Sequence, residues 1–325
     1  MVRSVQHDRV TPIVTLVAVC VMSAILTPVI HAEEQTKIGA YLWLDVEGQP
    51  LPFQSHDGIR NALHTAQVVS RKEIDRGVAG AEKLVLKVGT TRFHAVFRSI
   101  DRKEKAEPAG GTTRRPKHYR DAAIFESAAY ELSRLLDINR VPPVVERSID
   151  GRNGTVQIWM EDTLLEVERI KRRLRPPDGT RWIQQKLIMA TFDALIANTD
   201  RNQGNSLIDR NWTVWFIDHT RAFKDSSKIH NLAKLEKCER HLWETLRGID
   251  EEIIRRRLEP FLEHREISAL LRRRLKLIKH FEALISKHGE DDVLFDLRPP
   301  GVGKVDWDAQ PGGANTEKNP AVPAD

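Results

Sequence analysis

The sequence predicts an α+β protein with two lobes, the first rich in strands and the second mainly helical. Between about residues 36 and 160, short β-branched runs are interrupted by glycine, which is typical of strands. Beyond residue 160, apolar residues recur at three- and four-residue spacing, which is typical of helices. We therefore expect a first lobe at residues 33–160 and a second lobe at residues 161–290.

Composition is consistent with this class. The chain has 325 residues, 40% hydrophobic and 30% charged, which is ordinary for a soluble globular protein with a sizeable core. The 51 basic and 46 acidic residues leave a net charge of +5, a weak indication of an anionic partner such as a nucleotide. The basic run at residues 169–177 is a candidate for contact with a membrane surface. Since basic residues lack interleaved aromatics, we expect no nucleic-acid partner.

The first 32 residues differ from the rest. Arg3 and Arg9 precede an uncharged stretch from Thr11 to Ile30, and Ala32 stands just before two glutamates. A basic start, an apolar middle and a small residue before a charge change predict a secretory signal peptide at residues 1–32. The alternative is an uncleaved membrane anchor, because such a stretch just spans a bilayer. Either interpretation places the bulk of the protein in a periplasm, a secretory lumen or the extracellular space.

Two site classes are excluded by the residues available. Cys238 is the one cysteine after the signal, so the mature chain has no intramolecular disulfide, and we interpret Cys238 as a helix-face residue. The 12 histidines show no zinc-binding spacing such as H-E-x-x-H.

The individual elements follow from the patterns. Strands are predicted around residues 65–70, 83–89, 93–100, 141–149 and 154–160, with a charged, Gly/Pro-containing loop at 101–118. Helices are predicted at 121–136, 181–198, 249–262 and 265–288. Residues 291–325 are rich in Pro, Gly and polar residues, and we expect a disordered tail there.

The chemistry concentrates directly after the helix at 181–198. Asp200 begins an Asp-Arg-Asn turn, Asn205 follows five residues later, and an apolar run ends in Asp218. Strands at 206–208 and 213–217 are expected to form a hairpin that places Asn205 beside Asp218. A calcium loop of the EF-hand type is excluded, because its sixth position is Asn205 instead of Gly and its twelfth is Asn211 instead of Glu.

Phosphoryl transfer needs groups of these types. A carboxylate orients or deprotonates the nucleophile, and an amide with a second carboxylate holds divalent metal on ATP phosphates. Asp200, Asn205 and Asp218 supply these groups in that order.

The pattern D-R-N-x-x-N followed by I-D-H resembles that of the atypical kinases, namely phosphoinositide lipid kinases, HipA-type kinases and the Golgi casein kinase group of the secretory pathway. Asn202 stands where many of these kinases have His, and His219-Thr220 replaces the usual Phe-Gly or Asn-Gly. The resemblance extends over roughly residues 60–290. It implies a two-lobed protein-kinase-like fold that binds ATP with Mg²⁺ or Mn²⁺.

The resemblance also implies a phosphate-binding Lys on a strand, paired with a helix Glu. Glu126 matches the Glu, but Arg98 stands at the Lys position. Arg keeps the charge but is planar and bulky, so the replacement is not conservative. Three interpretations remain open: Arg98 serves, Lys87 on the preceding strand takes over, or activity is reduced.

The remaining implied contacts are to the nucleotide. Gly77 and Gly80 lie in a turn whose backbone amides would cover phosphate. The lobe connection near residues 159–162, with Met160, would hydrogen-bond adenine.

The expected function is that of an exported kinase. Asp200 would be the catalytic residue and Asn205 and Asp218 the metal ligands, while Gly77, Gly80, Arg98, Glu126 and Met160 would bind the nucleotide. The acceptor is left open among protein, lipid and sugar. The alternatives are a pseudokinase that binds nucleotide without transfer, and an AMP transferase on the same fold.

Overall fold

The computed structural model describes residues 41–74, 80–104, 119–300 and 307. The predicted signal peptide therefore lies outside the described residues. Among the described helices, none combines the length and the apolar character that a membrane crossing requires.

The first lobe is built on a five-stranded antiparallel sheet. In spatial order its strands are β1 (Gln67–Glu73), β2 (Ala81–Val88), β3 (Thr91–Arg98), β7 (Arg152–Ile158) and β6 (Val144–Ile149). Along β2, Leu84 and Leu86 are buried while Lys83 and Val85 are half-buried, the alternation expected of a strand with two different faces. The strands predicted around residues 65–70, 83–89, 93–100, 141–149 and 154–160 all correspond to strands of this sheet.

Each face of the sheet is covered by one helix. The helix α1 (His56–Thr65) buries Ile59, Ala62 and Leu63 in the same cluster as Val145 of β6. The next residue along β6, Val144, packs instead in the cluster with α2 (Ile124–Leu135). Because neighbouring strand residues point to opposite faces, α1 and α2 lie on opposite sides of the sheet. The helix predicted at 121–136 is confirmed by α2, whereas α1 was not predicted.

The charged segment at 101–118 is only partly described. Its first residues form β4 (Asp101–Glu104), which pairs with β5 (Tyr119–Ala122). The two ends of the predicted loop are therefore held together by a short ladder, and residues 105–118 lie outside the described part of the chain.

The second lobe is mainly helical, as expected. Its helices are α3 (Glu166–Lys171), α4 (Gly179–Ile196), α5 (Arg240–Gly248), α6 (Glu251–Leu258), α7 (His264–His288) and α8 (Glu290–Val293), with a 3₁₀ turn at Leu232–Lys234. The core lies between α4 and α7, where Ile188 and Phe192 join Leu277 and Phe281 in one buried cluster.

Two predictions about this lobe are corrected. Regular structure continues past residue 291, because α8 and β12 (Leu294–Phe295) bury Val293 and Leu294 against the core. Cys238 lies in β11 (Cys238–Glu239), which pairs with β12 in parallel, and not on a helix face. The reason is the Glu239 side chain, which accepts a hydrogen bond from the Leu242 amide and so starts α5 after the cysteine.

A small three-stranded sheet joins the two lobes. It consists of β10 (Val214–Phe216), β9 (Ser206–Ile208) and β8 (Leu164–Leu165), in that order. The hairpin predicted at residues 206–208 and 213–217 is confirmed by β9 and β10. Trp215 of β10 packs edge-on against Tyr41 and Trp43 of the first lobe. The hairpin that carries the candidate metal ligands is thus anchored on both lobes.

Candidate functional site

The loop between α4 and β9 carries Asp200 and Asn205, and it is fixed from its first residues. Ala197 ends α4 in the left-handed conformation, with φ of 54°. The Asn198 amide and side chain both donate to Asp193 of α4, at 2.9 and 3.0 Å. Asp193 thus accepts from the loop backbone through its carbonyl, while its carboxylate accepts from side chains.

Arg201, the middle residue of the Asp-Arg-Asn turn, is the centre of the loop. Its Nε and Nη2 donate to the two Asp193 oxygens, each at 2.9 Å. Its Nη1 donates to the carbonyls of Asn205 and Ile217, the latter at 2.7 Å. One guanidinium therefore ties the loop to α4 and to the residue before Asp218. Bidentate pairs of this kind are among the stronger hydrogen bonds in proteins.

The hairpin brings the two predicted metal ligands together. The Ile217 amide donates to the Asn205 carbonyl at 3.3 Å, which places Asp218 beside Asn205. The Asn205 Nδ2 donates to the backbone carbonyl of Asp200 at 3.5 Å, so its Oδ1 is the atom left to bind a cation. Asp218 has φ of 63°, a left-handed conformation that an Asp adopts at a cost. Asp200, Asn205 and Asp218 thus form one cluster.

The surroundings of Asp218 fit a metal ligand. Asp218 is half-buried, and no hydrogen bond from a described residue contributes to the electrostatics of its carboxylate. Burial raises the pKa of Asp218, and the nearby Arg98 opposes that rise while Glu126 and Asp200 add to it. A half-buried carboxylate without a hydrogen-bonded partner is costly, and a divalent cation would supply a further counter-charge.

The described residues do not form a complete metal site by themselves. They contain no group of three His, Cys, Asp or Glu side chains able to hold an ion. Asn205 and Asp218 would therefore share their metal with oxygens from another molecule, as when phosphate oxygens complete the coordination of Mg²⁺.

Asp200 is the exposed member of the cluster, with 40% of its side chain accessible. The Arg221 Nη1 lies 3.9 Å from its Oδ2, a distance too long for a hydrogen bond. Its carboxylate is thus open to a hydroxyl group that enters from solvent.

Arg98 and Glu126 are brought together as predicted. Arg98 ends β3, and its Nε lies 3.9 Å from Oε1 of the fully buried Glu126. Its Nη1 makes a long 3.4 Å contact with Gln157. Burial alone would raise the pKa of Glu126, but Arg98 first and His219 second lower it to about 2, so Glu126 is ionised.

Lys87 lies at the opposite end of the β2–β3 pair from Arg98. It pairs with Arg92 of β3, and Arg98 is six residues, roughly 20 Å, further along that strand. The alternative in which Lys87 takes over is therefore wrong.

His219 is a functional-site residue that the sequence reasoning missed. It is completely buried, and its Nδ1 lies 2.9 Å from Glu126 Oε2. Its backbone amide donates to Glu126 Oε1 at 3.0 Å, and its Nε2 lies 3.2 Å from Arg201 Nη2. The adjacency of His219 to Asp218 was a signal in the sequence, but an argument from spacing considers only the metal-binding Asp and not the residue after it.

Met160 lies in the lobe connection, between β7 and β8. Its side chain is buried in the first-lobe core, and its carbonyl accepts from Thr163. Its amide and that of Glu161 make no hydrogen bond within the described residues. Two backbone donors of the lobe connection are thus without a backbone partner among the described residues.

The other predicted contacts are described only in part. Gly77 lies outside the described residues, whereas Gly80 precedes β2 with φ of 104°, a conformation that favours glycine. Ala81 pairs with Arg98, so Gly80 lies beside the end of β3. In the basic segment 169–177, Arg169 is bound to Glu166 and stacks on Trp182, while Lys171, Arg173 and Arg175 are exposed.

Comparisons with known proteins agree with this architecture. No protein-family model matches the chain, and no curated protein matches it. A solved structure of hydra Fam20 with sugar is similar over 74% of this chain and 92% of its own, with a TM-score of 0.54 and 16% identity. Two Golgi casein kinase structures are similar over 74% of this chain and 78% of their own, at 16% identity, with TM-scores of 0.53 and 0.51; the second holds Mn/ADP.

At this identity the similarity establishes the fold alone. The chain has an atypical kinase-like fold of the α+β class, and the fold expected from the sequence resemblance is confirmed.

Proposed function

We propose that this kinase-like protein is an exported phosphotransferase that moves the γ-phosphoryl group of ATP to a hydroxyl acceptor. The observation that carries the proposal is the convergence of Asp200, Asn205 and Asp218 on one loop cluster that faces Arg98. Most of the acceleration in such a site comes from positioning and charge neutralisation. The alternatives are the pseudokinase and the AMP transferase.

Asp200 would act on the acceptor. Its exposed carboxylate would accept the hydroxyl proton while the acceptor oxygen bonds to the γ-phosphorus and the bond from that phosphorus to the β,γ-bridging oxygen breaks. The proton remains on Asp200 until solvent removes it. Arg98, with weak contacts to Gln157 and Glu126, would bind phosphate oxygens through its planar fork. Met160 and Gly80, with Gly77, would contact the adenine and phosphates.

Asn205 and Asp218 would hold Mg²⁺ or Mn²⁺. The metal would neutralise charge on the phosphates, and because burial raises the pKa of Asp218, a cation beside it would favour the ionised carboxylate. The similarity to a kinase solved with Mn/ADP supports this assignment.

The acceptor remains open among protein, lipid and sugar. The similar solved structures include a casein kinase and a protein solved with sugar, so they do not favour a protein acceptor over a sugar acceptor. An unbiased search for phosphorylated products in an extract treated with the protein would identify it. Contact with a membrane surface through residues 169–177 remains a prediction.

Export would take the protein to a periplasm, a secretory lumen or the extracellular space. We expect cleavage after Ala32, so the amino-terminal sequence of the secreted protein should begin at Glu33. Retention of residues 1–32 in a membrane fraction would instead support the anchor.

The direct test of transfer uses the mature protein with ATP labelled at the γ-phosphate or in the adenosine. The expected product carries the γ label, and Asp200→Ala should reduce its formation by at least about 100-fold. Adenosine label on the acceptor would identify an AMP transferase instead.

The pseudokinase is favoured by one observation, the Arg at position 98. If wild type binds Mg-ATP without transfer to any acceptor and Arg98→Lys gains transfer, the active-kinase proposal is wrong.

A further inference from the structure

His219 occupies a position that the proposed reaction does not use. Its side chain is completely buried between Glu126 of α2 and Arg201 of the loop between α4 and β9, which we call the catalytic loop. It thus lies between an element of the first lobe and an element of the second.

The partners of His219 determine its hydrogen-bonding state. The ionised Glu126 carboxylate only accepts, so Nδ1, 2.9 Å away, must carry a proton. The Arg201 guanidinium only donates, so Nε2, 3.2 Å away, must present its lone pair. The partners of the ring therefore assign a proton to Nδ1 and a lone pair to Nε2.

Glu126 is held by His219 more firmly than by Arg98. The backbone amide and Nδ1 of His219 each bond one Glu126 oxygen, at 3.0 and 2.9 Å. The Arg98 Nε is 3.9 Å from Oε1, an ion-pair distance that is too long for a hydrogen bond. Geometry at Glu126 is thus set from the second lobe, and the Arg98 fork is left for other contacts.

The same chain of bonds continues to the metal ligands. Besides its contact with His219, the Arg201 guanidinium donates to both oxygens of Asp193 and to the carbonyls of Asn205 and Ile217. A shift of His219 would therefore displace α2 and the backbone beside Asp218 together.

We propose that His219 is a positioning residue that couples helix α2 to the catalytic loop through the Glu126–His219–Arg201 bonds and so holds the two halves of the site in register. The inference rests on the proposed function only in assigning a catalytic consequence to this coupling. The coupling itself is a property of the protein without nucleotide.

Three substitutions separate the two bonds of the ring. His219→Asn places an amide donor near the Nδ1 position and can keep the bond to Glu126. His219→Gln places an amide oxygen near the Nε2 position and can keep the bond from Arg201. His219→Phe keeps a planar ring of similar size and loses both bonds.

Turnover of Mg-ATP measures the catalytic consequence. His219→Phe should lower kcat about 100-fold, as for a misplaced site, with a smaller change in KM for ATP. His219→Asn should recover part of kcat, and His219→Gln less. Wild-type kcat in His219→Phe would overturn the inference. So would equal kcat in all three variants after correction for folded fraction.

Two measurements do not depend on activity. Nitrogen NMR of the histidine rings at pH 7.5, with His219 assigned by the signal lost in His219→Asn, should show a proton on Nδ1 and a lone pair on Nε2. A proton on Nε2 contradicts the inference.

The second measurement is a double-variant cycle on unfolding, with His219→Phe and Glu126→Gln. Coupled residues should give a double variant whose loss of stability is smaller than the sum of the single losses, while additive losses would overturn the coupling. If wild type neither binds nor turns over ATP, the proposed function fails, and the NMR and the cycle still decide the inference.

Discussion

Arg98 and Arg201 lie in different lobes and are held in opposite ways. Arg201 makes two 2.9 Å bonds to Asp193 and donates to two backbone carbonyls, so its guanidinium belongs to the scaffold. Arg98 makes one 3.4 Å contact to Gln157 and lies 3.9 Å from Glu126. A rigid arginine in the second lobe and a loosely held one in the first lobe agree with the proposed function, in which the loop is preformed and Arg98 binds the nucleotide.

The largest effect is expected from Arg201→Lys. Lysine keeps the charge but lacks the planar fork, so it cannot bind both Asp193 oxygens and two carbonyls at once. The variant should lose roughly 2–4 kcal/mol in the free energy of unfolding, measured by urea denaturation. The matched control is Arg255→Lys, in a surface pair with Glu251, where the loss should stay under about 0.5 kcal/mol. Equal losses in both variants would show that Arg201 is not part of a scaffold.

An intermediate effect is expected from Gly154→Ala. A Cβ at residue 154 would lie 2.1 Å from the Arg98 carbonyl oxygen and 2.7 Å from the Phe97 ring, so β7 and the end of β3 must separate. We expect a loss of about 1–3 kcal/mol in the free energy of unfolding, together with weaker nucleotide binding because Arg98 moves.

Gly179→Ala is the control for this substitution. A Cβ at residue 179 has nothing within 4 Å, so this variant should unfold as wild type does or be slightly more stable. Wild-type nucleotide affinity in Gly154→Ala would show that the close packing of residue 154 on the Arg98 carbonyl does not position the Arg98 side chain.

The smallest effect on stability is expected from Arg98→Lys. Because Arg98 makes only long contacts, the same Arg-to-Lys change should alter the free energy of unfolding by less than about 1 kcal/mol. Its effect should appear in the affinity for Mg-ATP, which calorimetry measures. A stability loss as large as that of Arg201→Lys would remove the difference between the two arginines.

The site was predictable where residue type and spacing carry the information. The turn at Asp200, the amide of Asn205 and the carboxylate of Asp218 follow from residue type and spacing, whereas Glu126 follows only from the resemblance to atypical kinases. The roles of these residues are proposals. His219 was not predictable this way, because a buried polar bridge depends on which side chains of the other lobe meet it. Tertiary contacts of that kind leave no local pattern, and the adjacency of His219 to Asp218 was the single hint in the sequence.

The errors in the fold have similar physical causes. The helix α1 begins at the Ser55 cap, with Ile59, Ala62 and Leu63 at helical spacing, a signal that the surrounding strand-like runs obscured. Composition predicted a tail from residue 291, but Val293 and Leu294 are buried by contacts with the core. The secondary structure of a short apolar segment depends on the surfaces against which it packs.

Manganese binding tests the central claim most directly. No three His, Cys, Asp or Glu side chains of the described residues are grouped to hold an ion, so the metal should bind well only with nucleotide phosphates. Electron paramagnetic resonance of Mn²⁺ with mature protein should show weak binding alone and tight binding with ADP. Asp218→Asn should abolish the ADP-dependent signal, and the exposed Asp292→Asn should preserve it. ADP-dependent Mn²⁺ binding that survives Asp218→Asn, or its absence in wild type, would contradict the account.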